Sequence, residues 1–424
     1  MKITDVKTVL LTGPCSGDPY VQAIRPFRSA AFIEIHTDTE LVGLGETYNG
    51  MRCAELVPTA VDYFKPILIG QSVDDISGLY KWMYDCENFW CRTGLGLTVL
   101  NGIEAALWDL KGKAVGQPVF ELLGGCRHEK LPGYATGGLS NYPLERLVEK
   151  LEFYRSHGFH AVKIGTGYFA EDGTWGQAVE AAEAADFEVE KLTFLRDRLG
   201  DDLDIMMDAH MGNPVSADQL WSVETAIAVM KAVEPFGLIF FEEPLTYDDP
   251  WGYAELARNT TIPIAGGECL TGITEWRQYI DLDAFDIGQP DASFTGGLEL
   301  CVQIAGLLAD RDRRIAMHAW GAGPSLMQNV HVGFACPNTM ILEIPPACGP
   351  LHSLIIGDSF QMKDGMVLPP DKPGLGIELT DDIKNRFPFI PGSGEFNTVP
   401  GKSLDDSDKR VAELADPSQW YPGK

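Results

Sequence analysis

The sequence predicts an α/β fold, a closed barrel of parallel strands and helices preceded by a smaller α+β domain. Three observations carry that expectation. After Leu122-Leu123-Gly124-Gly125, short apolar runs alternate with helical stretches, the pattern of a parallel sheet. Asp208, Glu242, Glu268 and Asp291 each stand at or just past the end of a different apolar run, where barrel enzymes place their chemistry. A doubly wound open sheet, the competing architecture, would not bring four strand ends around one point.

Taken in order, Ile3 to Leu11 and Ala30 to His36 read as strands, and Thr37-Asp38-Thr39-Glu40 offers a hairpin turn into Leu41 to Glu46. Helical spacing follows from Ala54 to Ile69 and from Val99 to Ala114, the latter through Ile103, Leu107, Trp108 and Leu110. Barrel strands are expected at His160 to Ile164, Asp204 to Met207, Leu238 to Phe241, Ile262 to Ala265, Phe285 to Gln289, Arg314 to Met317 and Met340 to Leu342. Leu144 to His157, Ala178 to Leu199 and Trp221 to Glu234 supply helices between the early ones. Beyond Ile355 the chain turns rich in Pro, Gly and Asp and loses periodicity, which predicts an extended tail packed over the first domain. The expected divisions are 1–125, 126–355 and 356–424.

Composition narrows the function. With 45% apolar and 22% charged residues in 424, the chain is expected to fold. A net charge of −28 repels nucleic acid and anionic membranes, so neither is an expected partner. Met1-Lys2-Ile3-Thr4 leads into no apolar run, and no later stretch has membrane-spanning length, so a cytoplasmic location is expected. The nine cysteines lack CxxC spacing and read as reduced, mostly buried thiols without a catalytic role.

Singly, Asp208 could cap a helix, Glu242-Glu243-Pro244 could be a solvated turn and Glu268 could bond a loop backbone. Together, three carboxylates at three strand ends suit a hard cation such as Mg²⁺ and offer no thiolate for zinc. Gln289-Pro290-Asp291 and Met317-His318 end adjacent strands. A carboxylate on one imidazole nitrogen would fix the tautomer and make the other nitrogen a better base, although a capping Asp and an unrelated loop His is the plainer alternative.

These residues resemble the enolase superfamily, in its mandelate racemase-like branch, over nearly the whole chain. The likeness begins at Gly43-Leu44-Gly45-Glu46 and continues through Asn101-Gly102-Ile103-Glu104-Ala105-Ala106-Leu107-Trp108-Asp109-Leu110-Lys111-Gly112-Lys113. It then runs through Phe241-Glu242-Glu243-Pro244, Gly267-Glu268 and Gln289-Pro290-Asp291 to Gly296-Gly297. Intervals of 26, 23 and 27 residues from Glu242 through Glu268 and Asp291 to His318 also fit. The resemblance implies a modified TIM-type (β/α) barrel with an N-terminal α+β capping domain completed by the C-terminal segment. It further implies Mg²⁺ on Asp208, Glu242 and Glu268, a His318–Asp291 dyad, Glu343 as hydrogen-bond donor to a substrate carboxylate, and homo-oligomeric assembly. The shared first step is loss of the proton next to that carboxylate, which a metal and a donor on the enediolate make accessible.

Departures narrow the reaction. Racemases of this branch carry a Lys-x-Lys pair on the second barrel strand. Here Lys163 matches the first Lys and Gly165 replaces the second, which weakens a two-base racemisation. Lys163 could add positive potential beside the carboxylates or serve as a structural strand-end Lys. Asp208-Ala209-His210 resembles acid-sugar dehydratases of the galactonate dehydratase type, whose histidine protonates the leaving hydroxyl. Alternation along an extended segment would put Asp208 and His210 on one side, and a loop-bonding His210 is the alternative. The 34-residue interval from Asp208 to Glu242 is longer than the family's, with the excess in Met211 to Gln219. Tyr20 to Arg28, including Arg25 and Arg28, and Tyr48 to Arg52 are the expected specificity segments, with Trp320 as a pocket wall. The expected activity is dehydration of a sugar acid to a 2-keto-3-deoxy acid. The alternatives are a cycloisomerase or epimerase acting on a sugar acid or its lactone, or a non-catalytic binding or structural relative.

Overall fold

The computed structural model describes residues 1–24, 26–137, 142–169, 175–213, 219–321, 323–346 and 349–404. The chain opens with an antiparallel meander of β1 (Ile3–Pro14), β2 (Phe27–Thr37) and β3 (Val42–Thr47), pairing Leu11 with Ala30 and Ile33 with Gly45. Helix Gly94–Val115, buried along most of its length, lies against this sheet. The approach is so close that a Cβ on Gly43 would strike the Ala106 carbonyl, and one on Gly45 the Gly102 carbonyl. Asp109 locks the arrangement: its carboxylate accepts from Leu44 N and Leu375 N, each at 2.8 Å, and pairs with Lys113 at 2.6 Å. Helix Ile76–Cys86, absent from the expected elements, packs beside it.

The barrel strands are β4 (Leu131–Ala135), β5 (Ala161–Gly165), β8 (Asp204–Asp208), β9 (Phe241–Glu242), β10 (Ile264–Gly266), β11 (Ile287–Gly288), β12 (Arg314–Met317) and β13 (Thr339–Ile344), with a small hairpin, β6 (Tyr168–Phe169) and β7 (Trp175–Gly176), after β5. Neighbours run parallel, and β13 returns to β4 with Glu343 opposite Tyr134, closing a ring of eight. Seven of these were expected. The eighth, β4, hides behind Pro132 and Gly133, and β9 and β11 are only two residues long where four and five were expected.

Tyr134, Ala161, Met206, Phe240, Ala265, Ile287, Ala316 and Ile341 form a separate apolar cluster, one residue from each stave of the barrel. Large Tyr134 and Phe240 face small Ala161, Ala265 and Ala316, so the interior is filled rather than hollow. Because side chains alternate along a strand, the next inward layer lies two residues on, at Thr136, Lys163, Asp208, Glu242, Gly267, Gln289, His318 and Glu343. That layer is polar and buried. The apolar plug is thus the floor of a polar site at the C-terminal mouth.

Past the barrel, the hairpin of β14 (Met362–Lys363) and β15 (Met366–Val367) adds antiparallel to β4. The chain then returns to the first domain: Lys384 pairs with Glu34 at 2.6 Å, and Ile390 N donates to Thr12 Oγ1 and Gly392 N to Glu55 Oε1, both at 2.9 Å. Of the eight described cysteines, all free, only Cys15, Cys91, Cys301 and Cys336 are buried, so the expectation of mostly buried thiols holds for half of them. Cys348 lies outside the described residues. No helix among the described residues is long and apolar enough to cross a membrane.

Candidate active site at the barrel mouth

His318 follows β12, and its Nδ1 lies 2.8 Å from Asp291 Oδ2. Asp291 is itself fixed, its Oδ1 accepting from Ser293 N at 2.8 Å, Ser293 Oγ at 2.7 Å and Asn329 Nδ2 at 2.9 Å. A carboxylate can only accept, so Nδ1 carries the proton and Nε2 is the working nitrogen. Nε2 faces Glu268 Oε2 at 3.4 Å and Glu343 Oε2 at 3.9 Å. Burial opposes an imidazolium here, but Glu268, Glu343 and Asp291 outweigh it and push the His318 pKa up to about 10. A base must be neutral to act, so this ring needs a cation among the neighbouring carboxylates to relieve it.

Lys163 Nζ sits between Glu242 Oε1 at 2.7 Å, Asp208 Oδ2 at 3.1 Å and Glu343 Oε1 at 3.1 Å. Burial works against its charge, yet Glu242 and Glu343 raise its pKa and keep it an ammonium. Burial also disfavours the Glu343 carboxylate, but Lys163 and His318 hold its pKa down, and Ala319 N donates to it at 2.8 Å. As placed, Glu343 is therefore an acceptor, and the donor at this edge is its partner Lys163.

One ammonium does not satisfy this group of acids. Burial and Asp208 push the Glu242 carboxyl well up, and Glu242 Oε2 is buried without a hydrogen bond. The expected ligands are oxygen donors short of positive charge, which fits a hard divalent cation. Lys163 draws Asp208 and Glu242 to itself, while the ligating atoms lying within 4.8 Å of one another belong to Glu243, Glu268 and Cys269. Sequence reasoning passed over Glu243, which is buried and sits at φ +45°. Its signal was the doubled acid of Glu242-Glu243-Pro244.

His210 does meet Asp208, though not by strand alternation as expected. β8 ends at Asp208 and the backbone turns left-handed at His210, φ +51°. The His210 N–H donates to Asp208 Oδ1 at 2.8 Å, and Nε2 folds back to 3.2 Å from Oδ2. In the ring order β4, β5, β8, β9, β10, β11, β12, β13, the strands before His210 and His318 are four apart, on opposite sides of the mouth. At Gly165 an amine does arrive, but Lys191 Nζ spends itself on the carbonyls of Gly165 and Gly167, at 2.9 and 2.8 Å, and on Glu188 at 2.8 Å.

The first domain roofs the site. Tyr48 has its ring centroid 6.0 Å from that of His318, and it clusters with Cys15, Val21, Met51 and Trp320. Phe396, from the C-terminal segment, packs on the same cluster. Arg28, expected in the pocket, is instead sealed: it pairs with Glu395, donates to the Gly321 carbonyl and lies 4.8 Å over the Trp320 ring. Arg25 and residues 214–218 of the Met211 to Gln219 insertion lie outside the described residues. Of that loop, Met211 is buried and Asn213 Oδ1 accepts from Arg52 Nη2 at 3.5 Å.

Known proteins share both parts. The mandelate racemase / muconate lactonizing enzyme N-terminal domain matches residues 8–124, and the enolase C-terminal domain-like family matches residues 146–383. The chain is 30% identical over 400 residues to a D-galactarolactone cycloisomerase of Agrobacterium fabrum, covering 91% of this chain and 99% of that protein. It is 30% identical over 364 residues to a D-galactonate dehydratase of Xanthomonas oryzae pv. oryzae, covering 84% and 90%. A racemase from Streptomyces coelicolor A3(2), solved with bound magnesium, superposes with a TM-score of 0.76 at 26% identity, covering 91% of this chain and 99% of that one.

Proposed function

Since this chain belongs to the enolase superfamily, we propose that it is a Mg²⁺-dependent hydro-lyase that removes the α-proton of a sugar acid and then its β-hydroxyl, giving a 2-keto-3-deoxy acid. When bound by Asp208, Glu242 and Glu268, Mg²⁺ would supply electrostatic stabilisation of the enediolate oxygens. His318 Nε2 takes the α-proton, and Asp291 holds the tautomer that leaves this nitrogen free. The Lys163–Glu343 pair, joined at 3.1 Å, offers its hydrogen bond to the substrate carboxylate. His210 protonates the departing hydroxyl, because hydroxide is a poor leaving group.

The observation that carries this reading is the placement of two imidazoles at opposite strand ends, with the carboxylate cluster between them. A base on one side and an acid on the other is what elimination of water needs. The relative named as a galactonate dehydratase supports it. Mass spectrometry of aldonates and aldarates incubated with the Mg²⁺-loaded protein tests it: the expected product is one water lighter, and an unchanged panel would count against dehydration.

A second reading, cycloisomerisation of a sugar-acid lactone, draws on the contact of His210 with Asp208, which engages the proposed acid with a metal ligand. The relative named as a galactarolactone cycloisomerase agrees with it. That outcome would give a product isomeric with the lactone in ordinary water, and in deuterated water one solvent deuteron on the carbon beside the new keto group.

A further inference from the structure

Besides Lys191, already spent on Glu188 and two carbonyls, three of the described cations converge on the mouth, and two of these are engaged as well. Lys163 is shared by Asp208, Glu242 and Glu343. Arg28 is closed off by Glu395, whose side chain is fully buried and which also accepts from Trp320 Nε1 at 3.0 Å. The third, Arg52, is different. Among the described residues it enters no ion pair with a carboxylate within 4.0 Å, and its hydrogen bond to Asn213 is long at 3.5 Å. Its guanidinium lies 5.8 Å from the Tyr48 ring centroid and 4.9 Å from that of Phe396, and it also hydrogen-bonds the Tyr48 side chain. With five N–H donors and these two hydrogen-bond partners, Tyr48 and Asn213, it keeps donors to spare.

Its position matters as much as its freedom. Tyr48 beneath it approaches the His318 ring, whereas Asn213 beside it lies on the loop that leaves His210. Arg52 therefore spans the roof between the two histidines, over the point where a substrate's α- and β-carbons would lie. A substrate whose first carboxylate reaches the acid cluster directs its far end toward this roof. A half-buried guanidinium with unused donors recognises a carboxylate in bidentate fashion better than it does a hydroxyl.

We infer that Arg52 binds a second carboxylate of the substrate, so that the preferred substrates are sugar diacids or their lactones rather than monoacids. This rests on the proposed acid-binding site but not on which reaction follows. Calorimetry on Mg²⁺-loaded His318→Asn protein, which holds ligands without turning them over, would use two matched pairs, galactarate against galactonate and glucarate against gluconate. In at least one pair the diacid should bind tenfold or more tightly. Arg52→Gln should erase that preference by weakening the diacid alone, and Arg52→Lys should restore part of it. Equal weakening of both acids, no preference in either pair, or no diacid binding would overturn the inference. Mass spectrometry of the wild-type protein with the same four acids separates the claims: a diacid preference without turnover would spare this inference and sink the proposed reaction.

Discussion

The two sides of the barrel mouth hold their histidines in opposite ways. His318 is 7% exposed in its side chain and leans on Asp291, which is pinned by three further hydrogen bonds from Ser293 and Asn329. His210 is 23% exposed and sits at a positive φ, and among the described residues its ring pairs with Asp208, a carboxylate expected to hold metal. The first ring is oriented by the protein whether or not a ligand is present, while the second takes its orientation from the contents of the site. A residue that must start every turnover gains from being pre-set, and one that differs from reaction to reaction is left adjustable.

That contrast can be broken at its stronger end first. His318→Asn should lower α-proton exchange into deuterated water by about 10²- to 10⁴-fold, the usual range for a general base, as read by proton NMR of the substrate. His210→Asn should cut water loss by about 10²-fold or more while leaving exchange within roughly threefold, and parallel loss of both would deny His210 its separate role.

Two histidines outside the proposed acid and base sharpen the comparison, because burial keeps them neutral. The His331 and His352 pKa values are each lowered to about 3, by burial and for His352 also by the Arg28 charge. Both values lie below the unfolded value, so the unfolded chain binds the extra protons. Stability is full above about pH 6.5 and falls as pH drops toward 3, by up to about 1.4 kcal/mol per pH unit for each ring. Thermal melts between pH 7 and 4 should show this, and His331→Gln should flatten the slope. The smallest effect is expected at Ser293→Ala, which removes one of several bonds to Asp291 and should cost about 1 to 2 kcal/mol in denaturant melts. A complete loss of exchange in this variant would mean that the dyad is less well braced than its bonds imply.

The polar ring was readable in the sequence because each acid follows a run of apolar residues. Strand alternation carries Met206 to Asp208, Phe240 to Glu242 and Ala316 to His318, and a one-dimensional pattern records that order. Less legible were features set by tertiary partners. β4 was missed because Pro132 and Gly133 weaken a local strand signal, and Leu131 to Ala135 become a strand only by closing the ring between β13 and β5. Helix Ile76–Cys86 does bury Ile76, Leu79 and Met83 at helical spacing, but its 11 residues offer little periodicity to read. The placing of Glu395 on Arg28 joins residues 367 apart, and nothing in either neighbourhood announces it. His210 was assigned to the site for a geometric reason that its left-handed backbone replaces.

The return of the C-terminal segment has a consequence for synthesis. The meander from Ile3 to Thr47 leaves the ribosome early, but Leu375 N is what completes the bonding of Asp109, and Glu395 and Phe396 finish the roof. The barrel is made in between. A nascent chain paused before residue 375 therefore carries the whole polar ring beneath a roof that is not yet joined, with Arg28 uncovered. The roof over the catalytic groups is completed only when the segment that follows the barrel is released. A released chain truncated after residue 370 should be far more protease-sensitive at the first domain than the full 424-residue chain.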